Sequence, residues 1–412
     1  MKKIIILLAA AAMSALACSK SNEAAKVTGP RIDDTTVEPV VFTSSVSGVH
    51  TSTKSAGALD DWSGADSLFV YAIERGTSGY VFDNIFIDNI FAYSPSAGLD
   101  GYRGSIELYN PSAAAAGEPF YYGEGYYDFF GYYVDDAAVS RNVDSADDVA
   151  DGTPVTVIDE DNQRITLDVA IDGAQDILIA RADSTADIAL AKTSYTGTIN
   201  PGRVYSAYSA RRSVVPNLQF KHQLSRFKFE IISGSQIVAD AVYVTGISIN
   251  SPSEATYAVA GDFPEDTVTC NLIDSSATKY LGLKHIPEGG SSLVVLDEAD
   301  ANRVKCPAFN SSNPTRKTID GSLLVIPGKD KYSLKLNLYQ EGVSTGDGAV
   351  ERDLEIDFSS SSASINTIEK KGIAGYEYTV TIYVYSLEEV KVDVSLTDWK
   401  SGGSFDIDPD KD

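Results

Sequence analysis

The sequence predicts an all-β chain of antiparallel sandwiches, and three observations carry that reading. Short runs of Val, Ile, Tyr, Phe and Thr recur along the 412 residues, each bounded by Gly, Asp, Asn, Ser or Pro. Several runs alternate, as in Leu334, Leu336 and Leu338 against Lys335, Asn337 and Tyr339, the pattern of a sheet with one face on a core. No segment carries the 3.6-residue periodicity of an amphipathic helix of ordinary length, and no solenoid repeat is visible.

Taken in order, strands are expected at SLFVYAI (67–73), YYDFFGYYV (126–134), ITLDVAI (165–171), RFKFEII (226–232) and VYVTGISI (242–249). Further strands are expected at YSLKLNLY (332–339), DLEIDF (353–358), YEYTVTIYVY (376–385) and VKVDVSL (390–396). Segments 137–164 and 183–215, rich in Asp, Ser, Ala and Thr without periodicity, read as long surface loops. The length suits two domains. The break at SGSQIVADA (233–241) divides the chain into an N-terminal domain, 37–234, and a C-terminal domain, 235–412.

The N-terminus has the layout of an export signal. Lys2 and Lys3 form a basic start, Ile4 to Ala12 an apolar run, and Ala15-Leu16-Ala17 a small-residue cleavage site, so residues 1–17 are expected to be removed. The apolar run is shorter than the about 20 residues of a membrane span. Plain cleavage would leave Cys18 first by accident. Alternatively, ALAC resembles the bacterial lipobox, with Ala15 in place of the usual Leu, and lipidated Cys18 would tether the chain through a leash over 18–36.

The 33 Lys and Arg against 58 Asp and Glu give a net charge of -25, which becomes -27 once Lys2 and Lys3 leave with the leader. The clustered cations that a nucleic-acid partner needs are lacking. Beyond Cys18 the only cysteines are Cys270 and Cys306, so the sequence allows one disulfide or two free thiols.

Catalytic and metal patterns are sparse. His50, His222 and His285 fall in different segments with no metal-ligand spacing, and no cofactor or metal is expected. GVSTG (342–346) fits a nucleophile-elbow pattern formally, but it lies in an expected hairpin loop, so Ser344 does not read as a nucleophile. DEDNQ (159–163) and DIDPDKD (406–412) read as solvated acidic loops, lacking the Gly and terminal Glu of an EF-hand. The aromatic cluster FYYGEGYYDFFGYY (120–133) reads as core packing first and a ligand surface second. Trp62 and Trp399 are the only indoles.

Several segments, in order, resemble one family. VVFTSSVSGVHTSTKS (40–55) and WSGADSLFVYA (62–72) are similar to a first strand, a threonine-rich loop and a W-x-x-G-x-D segment. YDFFGYYV (127–134), QDILIAR (175–181) and LQFKHQLSRFKFEI (218–231) are similar to an aromatic strand, a D-L-L-x-A strand and an F-x-H-x-L-S-[RK] strand. LLVIPGKDKYSLKLNLY (323–339) and GYEYTVTIYVYSLEEVKVDVSLTDWKSGG (375–403) complete the series. Together they resemble the fimbrillins, the type V pilins of Bacteroides-group bacteria, most closely the Mfa-like branch.

That resemblance implies two transthyretin-like β-sandwich domains in tandem and a non-enzymatic lipoprotein precursor at the outer membrane and cell surface. It implies cleavage by a trypsin-like protease behind the first strand, best matched by Lys54, with Arg31 and Arg75 as weaker positions. It also implies polymerisation into a fimbrium by strand exchange with other pilin subunits, serving adhesion to host or bacterial surface ligands. The candidate donor strand presents Val390, Val392, Val394 and Leu396 on one face, and the first strand presents Val40, Phe42, Ser44 and Val46. If 390–396 is instead the last strand of its own domain, the donor is the tail through Phe405 and Ile407. The competing function is a surface glycan-binding lipoprotein that stays monomeric, which tight glycan binding without polymer would favour. A hydrolase would need a pocket of convergent acids that sequence does not reveal.

Overall fold

The structure, a computed structural model, describes residues 41–46, 67–77, 79–85, 89–92, 104–107, 122, 125–134, 139–143, 153–234, 242–263, 268–342, 348–359, 370–387 and 389–397. The first part of the chain forms β1 (Val41–Val46), β2 (Ser67–Arg75), β3 (Tyr80–Ile85), β4 (Asn89–Ala92), β5 (Gly104–Glu107), β6 (Tyr127–Val134), β7 (Ser140–Val143), β8 (Val155–Asp159), β9 (Arg164–Ala170) and β10 (Ile177–Arg181). Two short helices follow, α1 (Ser184–Ala191) and α2 (Ala207–Ala210), then β11 (Asn217–His222), β12 (Ser225–Ser233) and β13 (Val242–Gly261). The remainder is β14 (Leu272–Gly282), β15 (Lys284–His285), β16 (Val294–Val295), β17 (Val304–Lys305), β18 (Arg316–Val325), β19 (Lys331–Gln340), β20 (Ala349–Asp357), β21 (Glu377–Val384) and β22 (Val390–Thr397).

The chain is all-β, as the strand patterning predicts. One sheet runs β3-β2-β6-β10-β11-β1-β5, with β4 also on β2. A second runs β18-β12-β21-β22, and a third β20-β19-β13-β9-β8-β7, with β14 and β17 also on β13. A continuous core fills the space among them, holding Phe69, Tyr132, Phe227, Ile249, Leu336 and Val380. Pairing is mostly antiparallel, but β1 lies parallel to β11 and antiparallel to β5, just as β12 lies parallel to β21 and antiparallel to β18. Residues 235–241, at the expected domain boundary, lie outside the described residues. Strand pairing and core run across that position, through β9 on β13 and the cluster extending from Phe69 to Val394.

Three segments depart from the sequence reading. β13 continues through SPSEATYAVAG to Gly261, because Pro252 needs no ladder N–H where it stands opposite Thr278 of β14. The expected loop 137–164 contains β7 and β8, and its DEDNQ stretch forms the β8–β9 hairpin turn, where Asp159 accepts from the Asn162 N–H and pairs with Arg164 at 3.1 Å. The expected loop 183–215 instead packs onto the first sheet. Asp183 caps α1 by accepting from the N–H groups of Thr185 and Ala186, and Ile199, Val204, Tyr205 and Val214 build a second core against Phe129, Leu178, Leu218 and Phe220.

This second core explains the aromatic strand. β6 buries both faces: Phe130, Tyr132 and Val134 enter the main core, while Tyr127, Phe129 and Tyr133 pack under the helical segment. Gly131 sits where a Cβ would come within 2.7 Å of the Phe220 ring, which reaches across β10 from β11, so the seat of that ring on β6 favours glycine.

Candidate functional site

The feature on which the sequence reading turns is the seat of β1. Its six residues lie between β11 and β5, with Thr43, Ser44, Ser45 and Val46 in register with Asn217, Leu218, Gln219 and Phe220. Val41 to Ser44 pair with Glu107 to Gly104 on the other side. Among the described residues β5 has no strand partner except β1, so β11 is the element that fixes the seat.

β11 alternates cleanly. Leu218, Phe220 and His222 are buried, while Gln219 and Lys221 are exposed. Its inner edge is held by β10, through Leu178 opposite His222 and Ile179 opposite Lys221. Its two ends are held by buried carboxylates. At the first residue, Asp187 Oδ2 accepts the Asn217 N–H at 3.0 Å and the Tyr205 hydroxyl at 2.6 Å. At the last, Asp176 Oδ2 hydrogen bonds to His222 Nδ1 at 2.8 Å, with both side chains almost fully enclosed. Burial pushes the Asp187 carboxyl up to about 6 against the opposing pull of those two donors, with the Asp183 charge adding to the rise.

The turn after β11 is tied equally firmly. The Gln223 N–H donates to the Ile177 carbonyl, and Gln223 Oε1 accepts the Asn271 N–H at 3.0 Å. The chain then enters the second sheet, where Ser225 Oγ donates to the Ile373 carbonyl. Buried Arg226 faces Glu377 at 3.4 Å, and Lys228 joins the same carboxylate at 3.0 Å. HQLSR is thus the crossing between two sheets, and His222 reads as a core residue paired with Asp176.

The other end of the chain is also occupied. β22 pairs antiparallel with β21 from Val384 opposite Val390 to Glu377 opposite Thr397. Val394 is buried, Val390 and Val392 pack against the core, and Leu396 stands opposite Tyr378. The candidate donor strand is therefore the outer strand of its own sheet.

Of the candidate cleavage positions, Arg75 is the last residue of β2. Its Nε is 2.6 Å from Asp128 and its N–H donates to the Tyr126 carbonyl. Lys54, Arg31 and Cys18 lie outside the described residues, as do His50, Trp62, Ser344, Trp399, Phe405 and Ile407.

In the structure Cys270 and Cys306 are not bridged to each other. Cys306 is enclosed next to β17, its N–H bonded to the Val242 carbonyl. Cys270 sits at φ 52 in the turn before β14, with Sγ 3.9 Å from the His222 carbonyl. Among the described residues no cluster of three metal-ligating side chains occurs. His285 is bonded to the Asn302 carbonyl at 2.9 Å, away from His222 in the fold.

No family model matches the chain, and no curated protein matches it either. Solved structures do. They include candidate cell adhesion proteins and fimbrial proteins of bacteria. A candidate cell adhesion protein from Bacteroides uniformis is similar at 15% identity, over 88% of this chain and 98% of that one, with a TM-score of 0.41. The fimbrial anchor protein Mfa2 from Porphyromonas gingivalis is similar at 11% identity, over 88% and 99%, with a TM-score of 0.34. The tip fimbrial protein Mfa3 from the same organism, C-terminally truncated, is similar at 10% identity, over 88% and 100%, with a TM-score of 0.36.

Sequence reasoning missed Asp187, Tyr205 and Glu377. For Asp187 a signal existed in DSTAD (183–187), where an N-cap aspartate precedes a helical turn. Tyr205 and Glu377 carried no local signal, because each is defined by a partner distant in sequence.

Proposed function

We propose that the chain is a fimbrial subunit precursor of the cell surface, lipidated on Cys18 at the outer membrane and polymerised by strand exchange at the β11 edge. What carries the reading is the position of β1. It is a first strand inserted between β11 and β5, joined to β2 by the segment 47–66, and its departure opens the ladder from Asn217 to Phe220 for another strand. The ordered fimbrillin-like segments from 40 to 403 support it independently.

The geometry favours one cleavage position. A cut after Arg31 leaves β1 attached to everything behind it. A cut after Arg75 would remove β2, whose Phe69, Val70, Tyr71, Ala72 and Ile73 are all buried. Within 47–66 the only lysine or arginine is Lys54, so a trypsin-like protease separates β1 from β2 there.

The donor follows from a balance of pairings. Moving β22 onto a neighbour's β11 buries at most about 6–12 kcal/mol of apolar side chains but strips a similar face from β21, where Tyr378, Val380, Ile382 and Val384 are buried. A donor drawn from 398–412, with Phe405 and Ile407, leaves every β21–β22 pair intact and adds its strand at the sheet edge. The test compares protease-triggered laddering of the wild type, Lys54→Ala and a chain ending at Thr397. Laddering by the wild type alone supports the reading, and equal laddering by all three overturns it.

A further inference from the structure

We propose that Asp187 is the positioning residue that sets where the exchange ladder begins, by holding the first residue of β11. This rests on the strand-exchange reading above, but the contact itself is independent of it. One oxygen, Asp187 Oδ2, accepts both the Asn217 N–H at 3.0 Å and the Tyr205 hydroxyl at 2.6 Å. Tyr205 is itself fixed to the aromatic strand, since its carbonyl accepts the Tyr127 N–H at 2.8 Å. The carboxylate therefore joins α1, the start of β6 and the start of β11 at one buried point, with Asp187 3% exposed.

The link to strand exchange is the register. Pairing between β1 and β11 starts at Asn217, opposite Thr43, and runs forward to Phe220. The Gln223 N–H bonds the Ile177 carbonyl, so alternate residues back to Asn217 turn their N–H groups to the β10 side of β11; Asp187 holds the start of the strand from behind and leaves the edge that faces β1 open. Because a slip of one residue turns every side chain to the opposite face, a fixed starting point selects a single register for resident or incoming strand. Removing the acceptor strands a buried hydroxyl and a partly buried amide, and the start of β11 should loosen.

Hydrogen exchange on the intact mature chain tests this. In Asp187→Ala we expect exchange at 41–46 and 217–220 to accelerate at least tenfold, with 226–233 and 377–384 unchanged. Asp187→Asn keeps an oxygen acceptor and should stay within twofold of the wild type. Asp187→Leu, which keeps volume without the acceptor, gives the same reading should the alanine variant fail to fold. Tyr205→Phe leaves the Asn217 bond and should not accelerate 41–46 by more than about threefold. Unchanged exchange at 41–46 in Asp187→Ala and Asp187→Leu overturns the proposal, as does equal acceleration in Tyr205→Phe. A wild type that never ladders after cleavage counts against strand exchange alone, while the exchange data still decide the role of Asp187.

Discussion

His222 Nδ1 and Asp176 Oδ2 stand 2.8 Å apart in the interior, joining the last residue of β11 to the residue that precedes β10. Asp176 Oδ1 also accepts the Ile177 N–H, so one side chain aligns both strands of the pair. Truncating either partner leaves the other buried with its bond lost. Asp176→Ala and His222→Ala should each cost about 1–3 kcal/mol. The double variant should cost less than the sum by about 1 kcal/mol or more, read from urea midpoints; additivity within about 0.5 kcal/mol would show that the two are not coupled.

Gly131→Ala should destabilise the first sheet by about 1–3 kcal/mol, because the added Cβ meets the Phe220 ring. Combining it with Phe220→Leu should recover part of the loss in thermal melts. A Gly131→Ala variant as stable as the wild type would contradict the packing of the Phe220 ring on β6.

Stability should fall as pH rises from about 4 to about 6, through the Asp187 carboxyl. Its folded value of about 6 lies above the unfolded value near 3.9, so over this interval the native state holds the proton and the unfolded state has lost it. The protonated form therefore stabilises the fold at low pH, and the contribution is gone above about 6. The groups facing it are Asp183 in the N-cap, the Tyr205 hydroxyl, the Asn217 N–H and, more remotely, Tyr122. The difference between wild type and Asp187→Asn isolates this group from the other acids and should change by about 2–3 kcal/mol across the interval. A flat difference curve refutes the assignment.

Alkylation of the folded protein should label Cys270 and spare Cys306. Burial pushes the Cys306 thiol up to about 12, and the thiolate is the reactive form. Both should react fully in denaturant without prior reduction. A requirement for reductant would mean a bridge exists.

What the sequence disclosed, and what it hid, follows from the range of the interactions. Leu334, Leu336 and Leu338 alternate within one strand, and β19 appears where that pattern lies. Asp176 and His222 stand in two separately recognisable segments, yet nothing local says that they touch across 46 residues. α1 escaped notice because its buried positions are only Asp187 and Ala191, which form no apolar stripe. The far half of β13 was masked by Pro252 and its serines, residues that usually end a strand but here face β14.

The central claim is that β1 is a removable occupant of the β11 edge, and a reversible lock tests it most directly. Ser45 and Gln219 are paired residues on neighbouring parallel strands, whose spacing of about 4.8 Å lies within the Cα span of a disulfide. In Ser45→Cys/Gln219→Cys, cleavage after Lys54 should leave the oxidised protein monomeric, and reduction should then release β1 and start laddering. Laddering at the same rate with the bridge closed would contradict the account.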